Sequence, residues 1–321
     1  MSLITILDLA KRRGNDQIVG LVDETTKAVP EVSGRTMVGG SLIQLPNVAS
    51  VRTIAGLLYQ TRVRTVLPSV AFRNFNEGAL ATKATYENRV VQTYTLNPRW
   101  GGDKAALDRD EDGPQAVMAE EAAAHLEAAW QRVARAFYYG TDATYGDAKA
   151  FPGLLQSYDA TNNVVDAGGT TDSTATSAWL VAFGPQKVQW VYGNGGNFDL
   201  SEVDLRDQTD GVGNPYTAYH QELFCYPGLQ VSSQRYVVRI KKITADNAKT
   251  FKDSLVAEAL AKFPTGVVPD VIFCSKRSLS QLQSSRTATN ATGAEAPFPT
   301  QVFGIPLAVT EALSEVETLA L

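Results

Sequence analysis

Two strand-like segments between residues 51 and 104 cannot bury themselves, and they constrain the rest of the chain more than any other feature. Val63 to Phe72 and Tyr86 to Leu96 are rich in β-branched and aromatic residues and are predicted as strands. Asn74-Phe-Asn-Glu-Gly78 and a run of small residues separate them, so the pair reads as a hairpin with a long tip. In the second strand Tyr86, Asn88, Val90, Gln92, Tyr94 and Leu96 alternate with Glu87, Arg89, Val91, Thr93 and Thr95, and neither face is cleanly apolar. A two-stranded ribbon is marginal in water by itself, so this one needs a partner surface.

Charge sharpens the point. Arg52, Arg62, Arg64, Arg73, Lys83, Arg89, Arg99 and Lys104 outnumber Glu77, Glu87 and Asp103, a net +5 over 51–104. Over 105–127 the sign reverses: Asp108, Asp110, Glu111, Asp112, Glu120, Glu121 and Glu127 oppose Arg109 alone, a net −6. Unlike surfaces dock and like ones repel, so a basic hairpin beside an acidic base suits head-to-tail contacts between copies. The plainer alternative is two solvated surfaces whose charges cancel within one monomer. Candidate contact residues are Arg62, Arg64, Arg73, Lys83 and Arg89 on the hairpin, and Asp108, Asp110 and Glu111 at its base.

Residues 113–139 carry the clearest helical period. Met118, Ala122, Leu126, Ala129, Trp130, Val133 and Phe137 recur along one side, and Met118, Leu126, Trp130, Val133 and Phe137 are the expected core. Asp112 with Gln115 resembles a capping box, Pro114 suits the first turn, and Gly140 is the expected stop. About 26 residues at 1.5 Å each make a spine of roughly 39 Å. Residues 1–50 read instead as an arm: Leu3, Ile4, Ile6, Leu7 and Ala10 suit a short helix, and the glycines and prolines that follow leave too few large apolar residues for a core. Such an arm must lie on the same or a neighbouring subunit.

Beyond the spine, 140–175 is loop-rich apart from Phe151-Pro-Gly-Leu-Leu155. Ala178–Phe183 and Lys187–Tyr192 read as strands around Gly184-Pro185, and an acidic stretch with Glu202, Asp204, Asp207 and Asp210 follows. Tyr216–Phe224 and Arg235–Ile243 are strand-like, 246–263 is a helix with Phe251, Leu255, Ala259 and Phe263 on one face, and Val271–Cys274 is a buried strand. Ser275–Leu282 is predicted as a short helix, 284–299 as a mobile loop and Val302–Thr310 as a strand. The class is α+β.

The wider composition excludes several functions. Of 321 residues, 44% are hydrophobic and 20% charged, enough for a core, and the net charge of −5 argues against a general nucleic-acid binder. No apolar run approaches the roughly 20 residues that cross a bilayer, and the N-terminus, apolar then basic, has the reverse order of a secretory signal. Cys225 and Cys274 form no close pair and fit packing in a reducing compartment. Asp108-Arg-Asp-Glu-Asp-Gly113 resembles the start of a calcium loop, but the position six after the glycine is Ala119, and an acid-enriched helix start explains the run. Gly193-Asn-Gly-Gly196 lacks the lysine and spacing of a phosphate loop, and His125 and His220 belong to no nucleophile motif. Asn290-Ala-Thr292 is a glycosylation sequon that matters only in a secreted chain. No cofactor, metal or catalytic residue is expected.

Several short motifs together resemble tailed-phage major capsid proteins of the Hong Kong 97-like fold. They are Trp179-Leu-Val-Ala-Phe-Gly-Pro185, Val188-Gln-Trp-Val-Tyr-Gly193 and Gly228-Leu-Gln-Val-Ser-Ser-Gln-Arg-Tyr-Val-Val-Arg-Ile240. Phe137-Tyr-Tyr-Gly-Thr-Asp142 followed by Phe151-Pro-Gly-Leu154 resembles that family's segment after the spine, and Phe303-Gly-Ile-Pro-Leu-Ala-Val-Thr310 its last strand. The resemblance implies an N-terminal arm over 1–50, an extended loop over 51–104, a peripheral domain over 105–160 and 236–321, and an axial domain over 161–235. It implies a chain that assembles with itself as hexamers and pentamers into an icosahedral shell around double-stranded DNA, without sequence-specific binding. The acidic balance fits, because a positively charged shell would hold packaged DNA. A portal protein and a separate scaffolding protein are implied partners, with no membrane. The place is the virion capsid, assembled in the host cytoplasm. Lys83 is the one hairpin lysine that could be considered for the Lys–Asn bond of some members, although an ordinary exposed lysine is the simpler reading. An encapsulin-like compartment and a soluble enzyme with an unrecognised site are the alternatives.

Overall fold

The computed structural model describes residues 4, 13–14, 17–18, 25–48, 50–246, 248–290 and 294–321. Its centre is a six-stranded sheet in the order Gln301–Val302, Ile305–Val309, Val271–Cys274, Thr176–Val181, Val237–Ile243, Val164–Asp166. Strand Thr176–Val181 is buried at every position because layers cover both faces of the sheet. Side chains alternate across it. Ala178, Leu180, Val238, Ile240, Ile272 and Leu307 pack with Phe251, Val256, Ala259, Leu279 and Leu282, from the helices Asp253–Ala261 and Lys276–Ala288 and the turn before them. Trp179, Val181, Val237, Phe273 and Ala308 face the other way, onto the C-terminal half of the spine.

The spine is the helix Pro114–Tyr139, within a residue of its expected span. Its start differs from expectation: Gly113 at φ 78° is the cap, with no side-chain bond from Asp112, so the capping box does not form. The helix serves two cores. Val117 and Met118 pack with Trp100, Leu107 and Leu223 at one end, while Val133, Ala136, Phe137, Tyr138 and Tyr139 enter the aromatic core at the other. The middle of the helix bridges the gap between them. Leu126 is consequently 39% exposed rather than core, and Trp130 is only half-buried, tilted on Phe198 at 5.0 Å between ring centroids. Met118, Val133 and Phe137 are buried as expected.

The helix stops where Gly140 and Gly153 meet back to back. A Cβ on Gly153 would collide with the Ala136 carbonyl and the Gly140 amide. Gln156 then accepts from the Gly153 amide at 2.9 Å and donates to the Tyr139 carbonyl at 2.9 Å, satisfying a group the helix end would otherwise strand. The Phe-Pro-Gly-Leu run is therefore the stopper of the spine.

A four-stranded sheet is built on Pro215–Phe224, which pairs with Asp204–Thr209 and Asp199–Leu200 and, across its other edge, with Arg99–Asp103. A three-stranded sheet joins Pro227–Val231, Val188–Tyr192 and Val51–Thr53. The segments flanking Gly184-Pro185 are strands, as expected, but they enter different sheets. The central sheet also takes strands from both sides of the domain boundary expected at 235/236.

Other boundaries shift. The helix expected over 246–263 spans Asp253–Ala261, and the helix expected to end at Leu282 runs to Ala288, so it absorbs the first part of the expected mobile loop. The expected strand Val302–Thr310 is interrupted by a turn at Phe303-Gly304, which folds Gln301–Val302 back onto Ile305–Val309. Most of the expected helix at Leu3–Ala10 lies outside the described residues; Ile4 bridges Gly102, its amide donating to Gly101 at 3.1 Å. The arm from 25 to 48 rests on its own subunit. Gln131 donates to the Thr25 carbonyl at 3.0 Å, Glu127 accepts from the Lys27 amide at 3.2 Å, and Val38, Leu45 and Val48 are buried.

Candidate intersubunit surface

The long hairpin consists of Leu58–Val66 paired antiparallel with Thr85–Gln92. Its base is tied to the three-stranded sheet: Ile54 donates to Tyr192 at 2.9 Å and Tyr94 donates to Pro227 at 2.9 Å. Gly228 allows that approach, because a Cβ there would meet the Gln92 carbonyl at 2.9 Å. Residues 67–84 form no strand, so the first strand ends before the expected Phe72 and the second before Leu96. Among the described residues, none pairs with 67–84 as a strand, and the side chains there are almost all exposed.

Arg62 and Arg64 share one exposed face of the hairpin, opposite Asn88 and Tyr86 in the ladder. The Arg62 guanidinium sits over the Tyr86 ring, 4.1 Å from its centroid. Arg73 and Lys83 lie in the exposed tip, where Arg73 donates to the Glu77 carbonyl at 2.6 Å. Arg89 behaves differently. Half-buried, it donates to the Ser232 carbonyl at 2.8 Å and so fixes the hairpin to its own body. The tip also exposes apolar side chains that its lack of periodicity hid: Phe72 and Phe75 are fully exposed at 109% and 99%, with Val70 and Leu80 close behind. Exposed apolar groups gathered in this way are typical of surfaces that proteins use to bind one another.

The acidic candidates sit apart from the hairpin strands, between the short helix Lys104–Leu107 and the spine. Asp108 pairs with Lys104 and accepts from the Tyr219 hydroxyl at 2.7 Å. Those bonds, Lys104 first, hold its carboxyl below the usual range. Asp110 accepts from the Asp112 amide at 3.1 Å, and Glu111 is exposed. Asp108 thus has partners within its own chain, in line with the charge-cancelling alternative. A second acidic surface, Asp204–Thr209, is the outer strand of the four-stranded sheet among the described residues and carries Asp204 and Asp207.

The groups suited to covalent chemistry are absorbed by packing. Burial pushes the Cys225 thiol up to about 11 and the Cys274 thiol up to about 12. Burial, with Arg206 nearby, lowers the His220 imidazole, and His125 stacks on Trp100 at 4.8 Å. Among the described residues no group of three metal-ligating side chains converges, and no helix is long and apolar enough to cross a membrane.

The sequence model of the family described as major capsid protein GP7 matches residues 50–320. No curated protein matches the chain. A cryo-EM structure of bacteriophage Epsilon15 superposes with a TM-score of 0.72 at 21% identity, covering 99% of this chain and 97% of that one. The capsid of Myoviridae phage XM1 gives 0.47 at 12% identity over 70% of this chain and 95% of that one. The SrpI encapsulin complex of Synechococcus elongatus gives 0.39 at 10% identity over 61% and 85%.

Proposed function

We propose, from the premise that this chain belongs to the major capsid protein GP7 family of tailed phages, that its copies assemble as hexamers and pentamers into an icosahedral shell around double-stranded DNA. The fold is the α+β Hong Kong 97-like capsid fold, and the family is structural. The observation that carries the assembly reading is the long hairpin, whose apolar tip and arginine face are exposed among the described residues of their own subunit. Burying each large apolar tip residue against a neighbour contributes about 1.5–3 kcal/mol, ample to drive a repeated contact. Arg62, Arg64, Arg73 and Lys83 are the contact residues in this reading, with Arg89 as the anchor that aims them.

In the same reading, 51–104 is the extended loop. The spine's N-terminal half with the four-stranded sheet forms the peripheral domain, and the six-stranded sheet with its helices forms the axial domain. That division keeps the six-stranded sheet whole, while the ends of 51–104 lend Val51–Thr53 to the three-stranded sheet and Arg99–Asp103 to the four-stranded one. The protein's place is the virion capsid, and assembly in the host cytoplasm with a scaffolding protein and a portal completes the proposal. Membership of a capsid family favours a phage shell over an enzyme-enclosing compartment or an enzyme. The test is reversal of Arg62, Arg64 and Arg73 to Glu, followed by negative-stain electron microscopy of the protein expressed with its scaffold. Folded subunits that no longer close shells are expected. Normal shells from the triple variant would remove the hairpin from the contact.

A further inference from the structure

The arm is joined to the body at an unusual point. Glu31 lies on the single turn Pro30–Ser33 and is wholly buried at 0% exposure. Its Oε1 accepts from the Tyr138 hydroxyl of the spine at 2.7 Å, whereas Oε2 has no hydrogen bond of good geometry, although the Thr310 hydroxyl lies close enough to act on the carboxyl. Its carbonyl accepts from the Trp190 indole at 3.0 Å. A carboxylate buried with one oxygen so weakly held is costly, while a carboxylic acid in the same place is tolerable. The surrounding groups do not compensate. The Thr310 and Tyr138 hydroxyls favour the charged form, but burial first, then the Glu31 charge itself, with Cys274 and Tyr139 adding, keep the Tyr138 hydroxyl protonated. Among the described residues no lysine, arginine or histidine forms an ion pair with Glu31.

We propose that Glu31 is a titratable latch that fastens the arm segment 25–48 to its own subunit, closed while the carboxyl holds its proton and loosened when it ionises. Burial raises that carboxyl from 4.5 to about 7, with the hydroxyls of Thr310 and Tyr138 opposing. The sign follows. Below 4.5 both the docked and the undocked arm hold the proton, and docking is at full strength. Between 4.5 and about 7 only the undocked arm ionises, so docking weakens as pH rises; above that range the loss is complete. At tenfold per pH unit the docking constant falls by roughly a few hundredfold across the window. The arm's other ties to the body include Gln131 to the Thr25 carbonyl, the Glu127 carboxylate to the Lys27 amide and the Thr26 hydroxyl, Asn47 to the Asp270 carboxylate at 2.8 Å and the Val309 amide to the Thr36 hydroxyl at 3.3 Å, and none of them passes through the Glu31 carboxyl. Beyond pH 7 the arm thus becomes available to leave its own body while the sheets stay folded.

The test is amide hydrogen exchange of the full-length unassembled protein between pH 4.5 and 8, corrected for the intrinsic rate. Opening of residues 25–48 rises by at least fiftyfold across the range, while residues 129–139 of the spine keep their protection. Glu31→Gln flattens the arm profile. Tyr138→Phe removes the donor to Oε1, keeps the pH dependence and moves its midpoint upward. A flat arm profile in the unaltered protein, or the same rise in Glu31→Gln, overturns the latch. Should Glu31→Gln not fold, Tyr138→Phe decides: an unmoved midpoint overturns the proposal, since a purely structural role for Tyr138 has no reason to shift a titration.

Discussion

The arginine of the Arg-Ile pair at 239–240 provides a sharp test of how the central sheet is held. Arg239 is 1% exposed in the middle of strand Val237–Ile243. Its guanidinium reaches Glu317 at 3.3 Å, donates to the Ser177 hydroxyl at 2.8 Å and to the Leu321 carbonyl at 2.8 Å, and lies 5.3 Å from the centroid of the Trp179 ring. Glu317 in turn accepts from the Tyr139 hydroxyl and from the Ser177 hydroxyl at 2.6 Å. One buried pair therefore ties the sheet, the spine and the last residues together. Glu317→Gln keeps the shape but leaves a guanidinium buried without its counter-charge, so the expected loss is about 3–5 kcal/mol. Replacing both partners, Arg239→Met with Glu317→Gln, removes the stranded charge and leaves unpaired hydroxyls at about 1–3 kcal/mol in all. The double variant should therefore be no less stable than Glu317→Gln alone. Urea unfolding of the unassembled protein, followed by tryptophan fluorescence, reads both numbers. A Glu317→Gln loss under about 1 kcal/mol, or a double variant whose loss equals the sum of the singles, would falsify the charge argument.

Three further outcomes are expected. Phe137→Ala opens a cavity among Tyr138, Phe183, Trp190 and Phe273 and costs about 3–5 kcal/mol, whereas Leu126→Ala on the exposed bridge costs under about 1 kcal/mol; equal losses in thermal or urea unfolding would contradict the two-core description of the spine. Gly153→Ala forces a methyl against the spine's last turn and costs about 1–3 kcal/mol, measured the same way, and an unchanged midpoint would refute the back-to-back glycine stop. Both buried cysteines resist a disulfide thiol reagent in the native protein at pH 8 and react once urea unfolds it, because burial shields both thiols and raises them from 9.0 to about 11 and 12; rapid native labelling would contradict their packing.

What the sequence by itself determined was local. The spine was legible to within a residue because helical period, Pro114 and Gly140 all act within a few turns. The hairpin was legible as a ribbon with no apolar face, and the capsid resemblance rested on short motifs whose physical roles are now visible at Gly153, Gly228 and Arg239. Tertiary structure decided the rest. Thr176–Val181 and Val188–Tyr192 read alike in sequence, yet one lies at the centre of the six-stranded sheet and the other in the three-stranded sheet, because each pairs with strands 35 or more residues away. Leu126 keeps the helical period of a core residue but faces the gap between two cores, and no period encodes a gap. Asp108 and Arg89 have the charge of contact residues, but Tyr219 and Ser232, distant in sequence, take them into their own subunit. Glu31 carries no sequence signal at all. Its burial depends on where the arm lands, and that position is set by Tyr138, Trp190 and Thr310, which only the folded chain brings to one place.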